Sequence, residues 1–160
     1  MATLFSQTSE YALRVMAWMA ARRSQEPILA RDLASATQVP LQYLTKILRR
    51  LVLAGLLQSR RGRGGGFNLA RPAREIRFRD VLVAVDCYPT RGRCAFGWER
   101  CSGRQPCPLH GLWSELTDGF HAWAANASIA GVRATVPSRS YRNRTTRRVS
   151  TRPSAAKRTK

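Results

Sequence analysis

A chain of 160 residues amounts to one ordinary domain, or one domain with a tail, and is long enough to enclose a core. Its 28 Lys and Arg against 9 Asp and Glu set a formal net charge of +19, a field that attracts nucleic acid first and anionic membrane second. Glu10 and Arg14 interrupt the apolar N-terminal stretch, and no apolar run reaches the ~18 residues of a membrane span. Neither a secretory signal nor a membrane helix is expected, and a cytoplasmic, nucleoid-associated protein with reduced thiols is the expectation.

The spacing predicts a first helix from Thr8 to Arg23, with Ala12, Val15, Met16 and Met19 on one stripe and Tyr11 with Trp18 on a second. A helix apolar on two sides is buried on two sides. A short helix over Arg31 to Ala36 follows, then Thr37-Gln38-Val39, and Pro40 suits the first turn of a third helix that ends at Gly55. Leu41, Leu44, Ile47, Leu48 and Leu51 form its core face. Gln42, Thr45, Lys46 and Arg49 stand on a polar face, with Tyr43 beside them.

Two helices joined by a short turn make a helix-turn-helix, whose second helix reads the major groove. Periodicity alone would favour an ordinary solvated face, but the next segment reverses that preference. Strands over Leu56–Arg61 and Phe67–Ala70 flank Gly62-Arg63-Gly64-Gly65-Gly66, which makes a β-hairpin wing. Arg60, Arg61 and Arg63 would reach phosphates or the minor groove. The glycine spacing fits neither a dinucleotide fingerprint nor a phosphate-binding loop ending in Lys-Ser/Thr.

A helix over Ile76 to Asp86 is predicted next, with Phe78, Val81, Leu82 and Val85 on one face. Then Cys94, Cys101, Cys107 and His110 occur as Cys-x6-Cys-x5-Cys-Pro-x-His within 17 residues of a loop rich in Gly, Arg, Ser and Pro. Three thiolates and an imidazole suit zinc or iron–sulfur far better than oxygen-seeking ions. A structural zinc of the Cys3His type, an iron–sulfur centre and a bare thiol switch all remain open on spacing alone. Nearby Arg91, Arg93, Arg100 and Arg104 favour thiolate formation under each of them. Cys87 falls outside the spacing and reads as a packed residue, and His121 receives no role.

A long helix follows, with Leu109, Trp113, Leu116, Phe120, Trp123 and Ala127 at alternating steps of four and three. That seam is expected between two subunits, because two-fold protein symmetry matches a palindromic DNA site. From about Pro137 the chain is Arg, Ser, Thr and Pro, and 133–160 carries ten basic residues and no acidic one. Such a tail buries too little surface to fold and adds salt-sensitive DNA affinity. The expected organisation is thus mainly α with a small β-hairpin: a winged helix-turn-helix domain over 1–86, a cysteine-rich loop over 87–108, a dimerisation helix region over 109–132 and a basic tail over 133–160. The acidic residues show no pairing with a nucleophile, so no enzyme is expected.

Four segments together carry a resemblance: Ser9-Glu10-Tyr11-Ala12-Leu13-Arg14; Val39-Pro40-Leu41-Gln42-Tyr43-Leu44-Thr45-Lys46-Ile47-Leu48; the run from Ala54-Gly55 through the wing to Arg71-Pro72; and Cys107-Pro108-Leu109-His110-Gly111-Leu112-Trp113. From Leu4 to Val132 the chain resembles the IscR/NsrR-type bacterial winged-helix regulators, dimers in which three cysteines commonly hold an iron–sulfur cluster. The resemblance implies DNA binding at Gln42, Tyr43, Thr45, Lys46, Arg49, Arg61 and Arg63, a palindromic operator, and action as a repressor. It also implies an iron–sulfur cluster on Cys94, Cys101 and Cys107, [2Fe–2S] before [4Fe–4S], with zinc as the alternative. His110 is the expected fourth ligand; Glu10 from a partner subunit is its rival, as in relatives that sense nitric oxide. The cluster is expected to report iron, redox or nitric oxide status. Some relatives carry Glu near Thr45, so the operator is left open here.

Overall fold

The computed structural model describes residues 5–22, 26–90 and 92–134, so most of the expected basic tail lies outside the described residues. Helix α1, Gln7–Ala21, begins where the Ser6 hydroxyl accepts the N–H of Ser9 at 3.2 Å, and Glu10 in its first turn complements the positive helix end. It buries Ala12, Val15, Met16 and Met19, while Tyr11 and Trp18 are half-buried on its flank.

Helix α2, Ala30–Thr37, closes on Gln38 in the left-handed region at φ 55°, and the N–H of Val39 returns to the Ala34 carbonyl at 3.1 Å. The chain thereby reverses without a glycine and enters α3, Leu41–Leu53, directly after Pro40. Leu44, Ile47, Leu48 and Leu51 turn inward against Leu33, Val15 and Met16 in one core. Each fully buried leucine contributes about 1.5–3 kcal/mol relative to an exposed one. Leu41, expected on that core face, is 47% exposed: it sits in the first turn, at the edge of the packed stripe.

Gly55, at φ +68°, ends α3, and the N–H of Leu56 caps the Leu51 carbonyl at 2.9 Å. That bend delivers Leu56 and Leu57 into the core and starts β1, Leu57–Arg60. It pairs antiparallel with β2, Gly66–Leu69, in the register Leu57↔Leu69 to Arg60↔Gly66. The wing is also tied at its base. Ile28 and Phe67 exchange two backbone hydrogen bonds of 3.1 and 2.8 Å. Gly66, at φ +146°, lies so close to Ile28 that a Cβ would meet its carbonyl oxygen at 2.5 Å.

A continuous helix over 76–86 is not formed. Ala73–Glu75 makes a single 3-10 turn, Ile76 and Arg77 stay extended, and α4 covers only Phe78–Ala84. The reason is tertiary: the N–H of Ile129 donates to Ile76, that of Phe78 donates to Ala127, and the Arg77 guanidinium donates to Asn126. A segment far along the chain thus claims the backbone that local propensity would have kept helical. Asp80 completes the corner, accepting the Arg77 N–H at 3.0 Å and Arg71 at 2.9 Å.

Helix α5, His110–Asn126, begins two residues later than Pro108 and ends in a short 3-10 turn, Ile129–Ala134. Only His121 and Ala124 of α5 are buried. Leu112 is 70% exposed, and Leu116, Trp123 and Trp113 also present apolar surface. Phe78 packs against Trp123 with the rings tilted by 40° and their centroids 4.8 Å apart, joining α5 to the N-terminal helices through α4. The whole is mainly helical with one two-stranded hairpin, as expected. No helix among the described residues is long and apolar enough to cross a membrane.

Candidate functional site

Two clusters of side chains stand out. The first is the outer face of α3. Gln42, Tyr43, Thr45, Lys46 and Arg49 are all exposed on it, and Arg61 and Arg63 are exposed on the wing turn. The Thr45 hydroxyl donates to the Leu41 carbonyl at 2.9 Å, so toward any outside group it offers only its lone pairs. Tyr43 leans toward Tyr11 with ring centroids 6.3 Å apart, and the two line a cleft with Gln7, Thr8 and Lys46 between α1 and α3. Arg50 is engaged elsewhere, donating to the Val85 carbonyl at 3.0 Å.

The second cluster is the cysteine loop. The Sγ atoms of Cys94, Cys101 and Cys107 lie within 4.8 Å of one another. Cys94 and Cys107 are 3.7 Å apart, close to the ~3.8 Å edge of a tetrahedron with metal–sulfur bonds of about 2.3 Å. His110 opens α5, its N–H returning to the Cys107 carbonyl at 3.0 Å, and its Nδ1 sits 3.2 Å from Cys101 Sγ. His110 therefore meets Cys101, not Cys107, although it follows Cys107 at helical spacing. The four donors line one cleft of about 110 Å³ with Trp113 and Asp118. Soft thiolates and one imidazole in that arrangement fit a zinc ion or an iron–sulfur centre.

Local turns aim these groups. After Cys94 the chain folds back through Gly97, at φ +71°, whose N–H reaches the Cys94 carbonyl at 2.9 Å. Partial burial raises the Cys94 pKa, but the N–H groups of Trp98 and Phe96 and the adjoining Cys101 and Cys107 thiols outweigh it, leaving this thiol below its ordinary value. At Cys101 the Cys107 N–H favours the thiolate, yet partial burial and the neighbouring Cys107 and Cys94 sulfurs prevail and push it up.

Glu10 does not join the sulfurs within one chain; it stands half-buried in the first turn of α1. Cys87 is packed as expected, with its Sγ 3.1 Å from the Ser6 hydroxyl. His121 carries more than its sequence position promised: it is 2% exposed and its Nδ1 pairs with the Tyr88 hydroxyl at 2.6 Å. A lone histidine on an apolar helix gives no signal of such a partner 33 residues away.

Comparison with known proteins completes the picture. Residues 5–134 match a family model described as Rrf2, iron-dependent transcriptional regulator. The HTH-type transcriptional regulator IscR of Photorhabdus laumondii is 34% identical over 119 residues, 74% of this chain and 72% of the relative. That of Pectobacterium carotovorum is 36% identical over 119 residues, with the same coverage. Among solved structures, CymR, the global cysteine regulator of B. subtilis, superposes with a TM-score of 0.70 at 20% identity, covering 86% of this chain and all of the other. IscR of T. potens gives 0.62 at 21%, covering 81% and 85%. These two likenesses speak to the fold, the sequence relatives to the family. A DNA-binding transcriptional regulator, and no enzyme, accounts for the recognition helix, the wing and the cysteine loop together, and the chain belongs to the Rrf2 family of iron-dependent transcriptional regulators.

Proposed function

We propose that this chain acts as a homodimeric repressor whose hold on a palindromic operator is modulated by an iron–sulfur cluster. The convergence of three Sγ atoms within 4.8 Å, with His110 Nδ1 3.2 Å from one of them, carries the reading. Cys94, Cys101 and Cys107 supply thiolates and His110 the fourth donor, with [2Fe–2S] the preferred form and [4Fe–4S] next. When bound, such a cluster supplies redox chemistry and reactivity toward oxygen and nitric oxide.

The residues of the chain then link site to operator. His110 belongs to the first turn of α5, so its ligation fixes where that helix begins. The exposed apolar face of α5, with Leu112, Leu116 and Trp123, is the natural contact for a second copy, and α5 reaches α4 through Trp123 and Phe78. A change in ligation at His110 is thereby passed to the spacing of two recognition helices, one per subunit. On each, Gln42, Tyr43, Thr45, Lys46 and Arg49 face the major groove, while Arg61 and Arg63 reach from the wing. Such a regulator works in the cytoplasm, where its DNA is.

Zinc is the second reading, favoured by the 3.7 Å separation of Cys94 and Cys107, which suits one tetrahedral ion. A visible absorption spectrum of protein purified without oxygen separates the two. Broad bands that bleach on reduction or nitric oxide exposure support the cluster. A protein that stays colourless after anaerobic reconstitution, with zinc in its metal content, overturns it and leaves constitutive DNA binding.

A further inference from the structure

Helix α5 is tied to the cysteine loop at three heights, and two of the ties lie outside the set of four donors. At the first turn, His110 Nδ1 meets Cys101 Sγ. One turn later, the indole N–H of Trp113 donates to the backbone carbonyl of Arg93 at 2.8 Å. Farther along, His121 Nδ1 pairs with the hydroxyl of Tyr88, where the loop leaves the DNA-reading half.

Among its described residues the loop between Tyr88 and Cys107 holds no helix or strand. Backbone turns close from Gly97 to Cys94, from Cys101 to Trp98 and between Ser102 and Gln105, and the N–H groups of Phe96 and Trp98 reach the Cys94 sulfur. None of these engages the carbonyl that precedes Cys94. The bond from Trp113 does, because a carbonyl held at Arg93 fixes the plane from which the Cys94 Cα–Cβ bond departs. Trp113 also lines the same cleft as Cys94, Cys101, Cys107 and His110.

We propose that Trp113 is a positioning residue for the metal centre: its indole N–H pins Arg93 to α5 and so aims Cys94 at the other three donors. It acts as the hydrogen-bond partners behind metal ligands do, by restricting orientation before the metal arrives. Without that bond, the turn after Cys94 is held only on its C-terminal side, and the metal itself must complete its alignment, at an entropic cost. The inference rests on the metal reading above and assigns a function to the indole N–H beyond packing.

The test is anaerobic titration of the full-length apoprotein with Co²⁺, whose thiolate charge-transfer and d–d bands report affinity and geometry. Three variants are compared with the wild type: Trp113→Phe, replacement of Trp113 by benzothienylalanine, an isostere with sulfur in place of the N–H, and Glu115→Gln. Glu115 is exposed on the same helix and has no part in the donor set or the apolar face. Both Trp113 replacements should weaken Co²⁺ binding about 10–100-fold and alter the d–d pattern, while Glu115→Gln keeps both unchanged. Wild-type affinity in the benzothienylalanine protein would overturn the proposal, and so would an equal loss in Glu115→Gln, which would assign the effect to the helix surface. A wild-type protein that gives no charge-transfer band would remove the binding of a single ion by the four donors, and this inference with it, while the cluster reading is decided separately by the absorption spectrum after reconstitution.

Discussion

Helices α3 and α5 carry apolar residues at similar spacings and use them in opposite ways. Leu44, Ile47, Leu48 and Leu51 of α3 all lie within one closed core. Leu112, Leu116 and Trp123 of α5 face outward, and the helix buries only His121 and Ala124. Apolar periodicity states that a face will be covered, not what covers it. The N-terminal half covers its leucines with α1, α2 and α4 and takes Ile129 from beyond α5 into the same core. The C-terminal half leaves its apolar face exposed beside three converging sulfurs.

The contrast can be broken most directly at the two leucine faces. Leu48→Ala should cost about 2–5 kcal/mol of folding stability, read as a fall in the denaturant midpoint, because it opens a cavity in a closed core. Leu116→Ala should leave that midpoint nearly in place and instead raise the concentration at which dimers dissociate in analytical ultracentrifugation. Equal destabilisation by both would erase the distinction drawn between the helices.

On the DNA side, Arg61→Ala should weaken operator binding by roughly 1–3 kcal/mol if the guanidinium reads a base edge. Equal losses on operator and random duplex, followed by fluorescence anisotropy, would make it a phosphate contact. At the metal centre, His110→Ala should alter the visible spectrum and shorten its lifetime in air, with Glu10→Ala unchanged. If only Glu10→Ala has that effect, the fourth donor comes from a partner's α1.

The smallest effect concerns pH. Cys94 lies below the ordinary thiol value and Cys101 above it. As pH rises through the thiol range, iodoacetamide should modify Cys94 of the metal-free protein before Cys101, because only the thiolate attacks. Peptide mass spectrometry reads the order, and the reverse order would remove the Phe96 and Trp98 N–H groups as its cause.

Much of this was legible in the sequence because it rests on short-range rules. Leucine spacing located α3, Gly55 marked its end, and the glycine run between Arg60 and Phe67 marked the wing. The cysteine spacing identified three sulfurs that do converge. What escaped was set by partners distant in the chain. Ile76 and Arg77 left the helical pattern for residues beyond α5, and His121 found Tyr88 across 33 positions. His110 lay at helical spacing from Cys107 yet turned to Cys101, because the loop folds back over the start of α5. Leu41 shows the converse error, a residue in phase with the core stripe but one turn too early to be covered.

The pairing of Ile28 with Phe67, made possible by the missing side chain at Gly66, limits how any signal can be expressed. It joins the wing to the segment entering α2, so wing and recognition helix travel as one reading head. In the proposed dimer, a stimulus arriving through α5 would therefore leave the fit of each head to its own few base pairs in place and would shift one head against its twin. Half-site preference would then stay constant across signalling states, and the response would be written in the tolerated length of the spacer between half-sites.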